Sequence, residues 1–487
     1  MQAIHEIADK VRQGRRVERD EALVLYRHAP TALLGELADG IRARTHPDRI
    51  VTYIIDRNVN YTNVCVARCN FCAFYRPVGS SEGYVLGFEE VFRKIDETIE
   101  LGGGQLLLQG GHNPDLPLEW YEDLFRGVKT RYPDFKLHAL SPPEVIHLTR
   151  MSRLSIAEVI DRLVAVGLDS IPGGGAEILV DRVRKILNCY NKATADEWLD
   201  VMRHAHRAGL RTTATMMYGH VETPEERLEH MLRLRQLQDE SHGATPADGQ
   251  GATRSNTGHG ATPADRHGAT RFNTDHRSTS ADGHGAPPAD GHGATRFNTD
   301  HGSTSADRHG ATPADGRGST RFNTGFTAFI TWSYQPEHTE LGGFEATGVE
   351  YLRTLALARI VLDNFDNMQA SWVTQGGKVG QLSLAYGAND MGSVMIEENV
   401  VRAAGAAFCM DEIEIVRNIE NAGFTARRRN MHYELLGEPI FRERDVPRML
   451  ELAVARHEGD TSRPAELAGY AARSAAEKRL RRSELSD

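Results

Sequence analysis

Three cysteines within eight residues constrain this chain more than any other feature. The segment Cys65-Val-Ala-Arg-Cys69-Asn-Phe71-Cys72 follows an apolar run at 50–55, in a chain of 487 residues that holds only 5 cysteines. Three thiolates this close suit one metal centre, because soft sulfur selects iron–sulfur clusters, zinc or Cu(I). Zinc would want a fourth ligand, commonly from a second paired motif. Neither Cys189 nor Cys409 belongs to such a pair, and both read as buried apolar thiols. A 4Fe-4S cluster held by three cysteines leaves one iron open to a small molecule.

Composition narrows the setting. A net charge of −10 argues against nucleic acid or an anionic membrane surface as partner. No apolar stretch approaches the length of a membrane span, and the start Met-Gln-Ala-Ile-His-Glu lacks the basic-then-apolar pattern of a signal peptide. Few cysteines, three of them needed as free thiolates, imply a reducing compartment, so the expected location is cytoplasmic.

One segment stands apart. From 241 to 325 the chain repeats itself: HGATRFNTDHRSTSADGHGAPPADG begins at His267 and recurs nearly unchanged at His292, with a third, partial copy from Arg317. Tandem architectures bury apolar positions of one copy against the next. Each full copy here offers one Phe and a few Ala amid Gly, Pro, Asp, Thr and His, too little to offset the entropy of ordering. The expectation is a disordered low-complexity insert whose histidines, His259 and His267 among them, are passengers of duplication.

With the insert removed, the remaining length suits one decorated α/β barrel. Residues 1–48 read as a helical N-terminal extension, 49–375 as the barrel interrupted by the insert, 376–458 as a C-terminal region that completes it, and 459–487 as a polar tail. Candidate strands are 50–57, 104–109, 135–140, 168–171, 211–218, 326–332 and 368–373. Between them Phe88, Val91, Phe92, Ile95 and Ile99 recur at helical spacing, as do Ile156, Val159, Ile160, Leu163 and Val164. Such alternation favours parallel βαβ units, and hence a partial or complete (β/α) TIM-like barrel. The loops that leave the C-terminal ends of its strands form the active face. The cysteine loop leaves the first strand and lies there, whereas the insert joins a helix to the next strand and belongs to the opposite face.

The other strand ends carry polar and flexible residues. Gly110 and Gly111 end the second strand, where absent side chains permit close backbone approach to a ligand or simply a turn. Ser141 and Glu144 end the third, either bonding ribose hydroxyls or starting and capping the helix after Pro142-Pro143. The run Gly173-Gly174-Gly175 reads as a helix start able to cradle an anion or a sugar, with Glu177 beside it. Met217 lies on the fifth strand, and His220 and Glu222 follow its end.

The cysteine spacing, with Phe71 just before the last cysteine, resembles the radical S-adenosylmethionine (SAM) superfamily. The segments DRNVNYTNVCVARCNFCAFYRP, LQGGHNPDLPLEWYEDLF, GLDSIPGGGAEIL, TTATMMYGHVET and SWVTQGGKVGQLSLAYGANDMGS are similar, over about 20–455 without the repeats, to the cyclic dehypoxanthinyl futalosine synthase family. The resemblance implies a radical SAM barrel in which Cys65, Cys69 and Cys72 hold a 4Fe-4S cluster and SAM fills the open iron. It places Phe71, Gly110, Gly111, Ser141, Glu144 and Met217 about SAM. It implies a cyclase of menaquinone biosynthesis acting on the small molecule dehypoxanthine futalosine. A deoxyadenosyl radical takes hydrogen from the ribose, and the carbon radical attacks the carboxyphenyl ring. His220, Glu222 and Glu177 are candidate bases, Arg76 a candidate carboxylate partner, and a flavodoxin or ferredoxin the expected one-electron donor. Aminofutalosine synthase and the tyrosine-using deazaflavin cofactor synthase are similar relatives. An iron–sulfur electron carrier or a zinc scaffold is the reading of another class.

Overall fold

The first stave of the sheet is made of two short strands in line, β1 (Ile50–Ile54) and β2 (Arg57–Val59). The computed structural model describes residues 2–243, 324–406 and 408–437. The remaining strands are β3 (Gln105–Leu108), β4 (Lys136–Ala139), β5 (Arg211–Tyr218), β6 (Gly325–Ser333), β7 (Asn367–Gln369), β8 (Asp390–Ser393), β9 (Thr425–Arg429) and β10 (Leu435–Leu436). Hydrogen bonding orders them as β10-β9-β1-β8-β7-β6-β5 and as β2-β3-β4, all parallel except the β10–β9 hairpin.

Two junctions close these ladders into a ring. β2 continues β1 along the chain, so the β3 edge attaches where β9 leaves off. On the far side His138 of β4 bridges Ser170, and Thr213 of β5 donates its N–H to the Ile171 carbonyl at 3.3 Å. The barrel therefore has eight staves, with 168–171 as the fourth. The expected strand at 168–171 is reduced to a single bridge. The Ser170 hydroxyl reaches the Arg211 carbonyl at 2.6 Å and stands 2.8 Å from His138 Nδ1, adding side-chain bonds to the few backbone ones, such as Ala139 N–H to the Ser170 carbonyl at 3.0 Å.

Helices clothe the barrel as a parallel topology requires. In Phe88–Glu100, Val91, Phe92 and Ile95 are buried, each worth about 1.5–3 kcal/mol of apolar transfer; Ile99 turns outward at 45% exposure. In Ile156–Ala165 the buried face is Val159, Ile160 and Leu163. Residues 2–45 form the helices Gln2–Arg12, Arg19–His28 and Thr31–Thr45, of which the second and third dock on the barrel helix Gly348–Val361. Arg353 donates to the Ala29 carbonyl at 2.8 Å, and Tyr26 OH lies 3.0 Å from Thr354 Oγ1.

Strands after 375 escape an apolar-run reading because their cores are polar. β8 reads Asp-Met-Gly-Ser, and its Asp390 accepts from Thr52 at 2.5 Å and from both edges of the Arg429 guanidinium at 2.5 and 3.0 Å. This buried pair ties β9 to β8 across β1. The β9–β10 turn then crosses the N-terminal mouth of the barrel, where Arg211 donates to the His432 carbonyl at 3.1 Å.

The repeats lie outside the described residues, but their anchors do not. Thr324 Oγ1 donates to the Ser241 carbonyl at 3.2 Å, at the N-terminal end of β6 and away from the cysteine loop. A short linker is therefore long enough to join 243 to 324. Deleting 244–323 behind a short Gly-Ser linker is expected to leave turnover within about twofold, since loop closure grows only slowly with length. Loss of activity in a deleted protein that keeps its far-UV circular dichroism and iron content would refute a passenger role for the insert.

Candidate functional site

The cysteine loop is clasped at its base before any cofactor is considered. Arg76 donates its N–H to the Asn63 carbonyl at 2.7 Å, and Cys65 donates to the Arg76 carbonyl at 2.9 Å. The Arg76 side chain pairs with Glu82 and donates to the carbonyls of Ala73, Phe74 and Tyr75, so it staples the loop and is committed away from a substrate carboxylate. The outer end rests on the turn after a short helix: Asn188 Nδ2 donates to the Arg68 carbonyl at 2.7 Å and Asn70 Nδ2 to the Ile186 carbonyl at 2.9 Å.

Cys65 and Cys69 are buried and Cys72 half-buried. Burial pushes the Cys69 and Cys72 thiols up; a negative Cys72 raises Cys69 further, and a negative Cys65 does the same to Cys72. A bound cation would favour the thiolate forms of Cys69 and Cys72 over this burial. Donors stand ready: the Ala67 N–H points at Cys65 Sγ at 3.4 Å, and the amides of Phe74 and Tyr75 favour the Cys72 thiolate. Three sulfurs with amide support fit an iron–sulfur cluster. Among the described residues no three His, Cys, Asp or Glu side chains already surround a point for one ion, so this assignment stands on donor chemistry and loop order. Cys189 is buried, with its thiol pushed up to about 11 and its sulfur 3.8 Å from Glu177 Oε2. Cys409, expected inside, is exposed beside exposed Phe408 in the loop before the helix Glu412–Asn421.

Gly110 and Gly111 have no room for side chains, and the reason lies in the protein itself. A Cβ on Gly110 would stand 2.6 Å from the Tyr61 ring; one on Gly111 would stand 2.2 Å from the Val64 carbonyl oxygen. Gly111 is the wall against which the cysteine loop is laid, and its N–H donates to the Thr62 carbonyl at 2.9 Å. Glu144, 4% exposed, accepts from Gly110 N at 2.9 Å, Tyr61 OH at 2.7 Å, Ser141 N at 2.7 Å and Ser141 Oγ at 2.5 Å. Ser141 and Glu144 form the capping pair of the helix Pro142–Ser152. Burial lifts the Glu144 pKa above the usual carboxylate range in spite of these bonds.

The glycine run at 173–175 precedes no helix directly; the next one, Asp181–Ile186, starts six residues later. The glycines let the chain lie flat on its neighbours instead. A Cβ on Gly173 would meet the Ala214 Cα at 2.7 Å, and one on Gly174 the Gln109 amide at 2.3 Å. Beyond them Glu177 is buried between Lys192 Nζ at 2.9 Å and Arg184 at 3.3 Å. Burial raises its pKa, but Lys192 and Arg184 more than offset this, and the group stays a carboxylate. Lys192 is the residue that sequence reading missed. It sits 5.3 Å over the Phe71 ring, and a Cys69 thiolate favours its charge. A lone lysine in NCYNKA gives no signal of this.

The His220 and Glu222 side chains are wholly buried and committed. The His220 ring stands 2.8 Å from Glu222 Oε2 and 3.0 Å from the Met217 carbonyl. Glu222 also accepts from Arg227 at 2.6 Å and from the Gly219 amide at 2.6 Å. Burial opposes its charge, but His220 and Arg227 hold it far below the usual range, which makes it a weak base. Met217 is buried on the stave that carries Thr213 and Thr215.

None of Glu177, His220 and Glu222 lines the barrel cavity. That cavity, of about 240 Å³, runs inside the staves between Gln109, Gly173 and Gly174 near the C-terminal ends and Arg429, Met431 and Tyr433 at the closing turn. Its apolar walls include Leu107, Ile330, Trp332, Trp372 and Val401, and its polar groups include Asp56, His138, Ser371 and Glu398. Burial presses His138 down to about 3, leaving it neutral, and lifts Asp56 and Glu398 above the usual carboxylate range.

Comparison with known proteins agrees with this layout. Residues 59–234 match the Radical SAM superfamily, and 323–440 match the CofH/MqnC C-terminal region. The chain is 37% identical over 469 residues to a cyclic dehypoxanthine futalosine synthase of Streptomyces coelicolor, covering 94% of this chain and 96% of that one. It is 36% identical to one of Halalkalibacterium halodurans, covering 89% and 95%. It is 32% identical to a 5-amino-6-(D-ribitylamino)uracil–L-tyrosine 4-hydroxyphenyl transferase of Methanosarcina barkeri, covering 88% and 93%. Among solved structures, the FeFe-hydrogenase maturase HydG from Carboxydothermus hydrogenoformans superposes with a TM-score of 0.58 at 14% identity, covering 96% and 88%. Methylornithine synthase (PylB) gives 0.54 at 14% identity, covering 87% and 97%. Among the described residues no helix is long and apolar enough to cross a membrane. The chain belongs to the radical SAM superfamily, as an enzyme of the family that holds the cyclic dehypoxanthine futalosine synthases.

Proposed function

We propose that the enzyme closes dehypoxanthine futalosine on itself to give cyclic dehypoxanthine futalosine, in menaquinone biosynthesis. The observation that carries this reading is near-full-length similarity at 36 and 37% identity to two synthases of that name, against 32% for the Methanosarcina barkeri transferase. Cys65, Cys69 and Cys72 would hold a 4Fe-4S cluster whose fourth iron takes SAM, with Phe71, Met217 and the Gly110–Gly111 backbone on the SAM side. Ser141 and Glu144 act there by holding Gly110 and Tyr61 in place. When bound, these cofactors supply one-electron cleavage of SAM and a deoxyadenosyl radical that takes a hydrogen atom from the substrate ribose. The electron comes from a small donor protein of the flavodoxin or ferredoxin kind.

The protein's own contribution is confinement. Leu107, Ile330, Trp332 and Trp372 exclude water and hold the aryl ring folded against the ribose, converting ring attack into a positioned intramolecular event. Ring closure is followed by loss of a proton to the protein and of one electron, which the oxidised cluster, when bound, would take back. Glu398 lines the cavity and is held above the usual carboxylate range by burial, so its ionised form is the stronger base there. We assign it as the acceptor in place of Glu177, His220 and Glu222, which are bound elsewhere.

Anaerobic incubation of the reduced protein with SAM and dehypoxanthine futalosine is expected to yield 5′-deoxyadenosine and a product two hydrogens lighter than the substrate. In the same assay Glu398→Gln is expected to lower kcat on the order of 10²-fold. Turnover that instead requires tyrosine and a ribitylaminouracil acceptor would overturn the cyclase reading.

A further inference from the structure

The inner part of the barrel cavity presents polar atoms for which the protein supplies no partner. Gln105 gives its amide N–H to Asp56 at 2.6 Å, leaving Oε1 buried and unbonded. Asn58 gives its amide N–H to Glu398 at 2.8 Å, leaving Oδ1 in the same state. The Tyr433 hydroxyl, on the turn that closes the barrel, is likewise buried without a partner. These residues are 6, 4 and 8% exposed, and all three line the one cavity.

Their free atoms are not at liberty to turn elsewhere. Asp56 is itself held by Ser393, and Glu398 accepts the N–H groups of Val400 and Val401 at 2.7 and 2.9 Å. The Arg429 guanidinium lies 3.9 Å over the Tyr433 ring and is fixed to Asp390. Buried polar atoms normally find partners, so these three, with the unpaired indole N–H of Trp332 on the same cavity wall, describe a ligand's complement.

The chemistry of that complement is restricted. Two of the atoms are amide oxygens, able only to accept; the third is a hydroxyl. Little net charge is found here: burial favours the uncharged forms of Asp56, His138 and Glu398, and Arg429 is paired with Asp390. A carboxylate or phosphate would set oxygen against oxygen there, whereas ligand hydroxyls satisfy every atom. We propose that Asn58, Gln105 and Tyr433 form a hydroxyl-binding subsite that takes hydroxyl groups of the substrate's sugar. This rests on the cyclase reading for the identity of the sugar, and deepens it by naming the residues that recognise it.

The test is equilibrium binding to the cluster-loaded, unreduced protein by anaerobic calorimetry, with dehypoxanthine futalosine and a sugar-free aryl-ketone benzoate as probes. Tyr433→Phe removes an atom that bonds nothing, so the melting temperature is expected to stay unchanged without ligand. The Kd of dehypoxanthine futalosine is expected to rise about tenfold, the effect of one lost hydrogen bond, while that of the sugar-free probe stays constant. Asn58→Leu also cuts the bond to Glu398, so its melting temperature is expected to fall, while the contrast in Kd between the two probes is expected to be the same. An unchanged Kd for dehypoxanthine futalosine in both variants, or equal losses for both probes, would overturn the subsite. If the wild type ignores dehypoxanthine futalosine but binds a ribityl-substituted pyrimidine, and Tyr433→Phe weakens that, the subsite stands and the cyclase reading falls.

Discussion

Replacing Cys65 with alanine is expected to abolish both the brown 4Fe-4S absorbance of anaerobically reconstituted protein and its cleavage of SAM. The two remaining thiols have no substitute within the loop. Cys189 is turned to Glu177, and Cys409 is exposed on a separate loop. The substitution itself is mild for the fold, because the base of the loop is held by backbone pairs between Asn63, Cys65 and Arg76. A cost of about 1 kcal/mol is the ordinary magnitude for such a change. Iron should fall from about four per chain to a small fraction of that, with the melting curve nearly preserved. A full complement of iron in the variant would contradict the ligand assignment, and a collapsed melting curve would remove its meaning as a test of ligation.

Gly111→Ala is expected to cost nearly as much cluster without touching a ligand. The added methyl group would stand 2.2 Å from the Val64 carbonyl oxygen, 2.8 Å from its carbon and 3.0 Å from Cys65 Cβ. None of these atoms is the far end of a flexible side chain. Relief therefore requires the cysteine loop to move as a body, carrying Cys65 out of register with Cys69 and Cys72. Overpacking of this kind costs about 1–3 kcal/mol, equivalent to a fall of several degrees in Tm. Iron loading should drop on the order of tenfold, since metal sites tolerate little displacement of their ligands. Gly104→Ala is the control: no atom lies within 4 Å of its added Cβ, so loading and Tm should match the parent. Normal iron content in Gly111→Ala would show that the loop is not braced by this glycine.

Much of the barrel was legible because its signals are local. The strand at 211–218 and the helices at 88–100 and 156–165 were marked by residues whose spacing alone reports which face is buried. The cysteine loop stood out for a similar reason, since its three thiols lie within eight residues. β8 was not, because Asp390-Met-Gly-Ser becomes a core strand only when Arg429, 39 residues later, neutralises its aspartate. The segment 168–171 was overread because its backbone pairs with β4 at one bridge only, and the Ser170 hydroxyl adds a bond to Arg211 of β5.

The candidate bases show the same division. His220, Glu222 and Glu177 have the right chemistry at the right strand ends, yet Arg227, Lys192 and Arg184 bind the two carboxylates outside the cavity. Asn58, Gln105, Glu398 and Tyr433 carry no local signal at all. By itself the sequence determined the radical SAM superfamily and the alternation of strand and helix, both of which depend on near neighbours. Which polar groups are spent on one another and which are left for a ligand was decided only by the tertiary structure, because closing the ring brings together residues hundreds of positions apart.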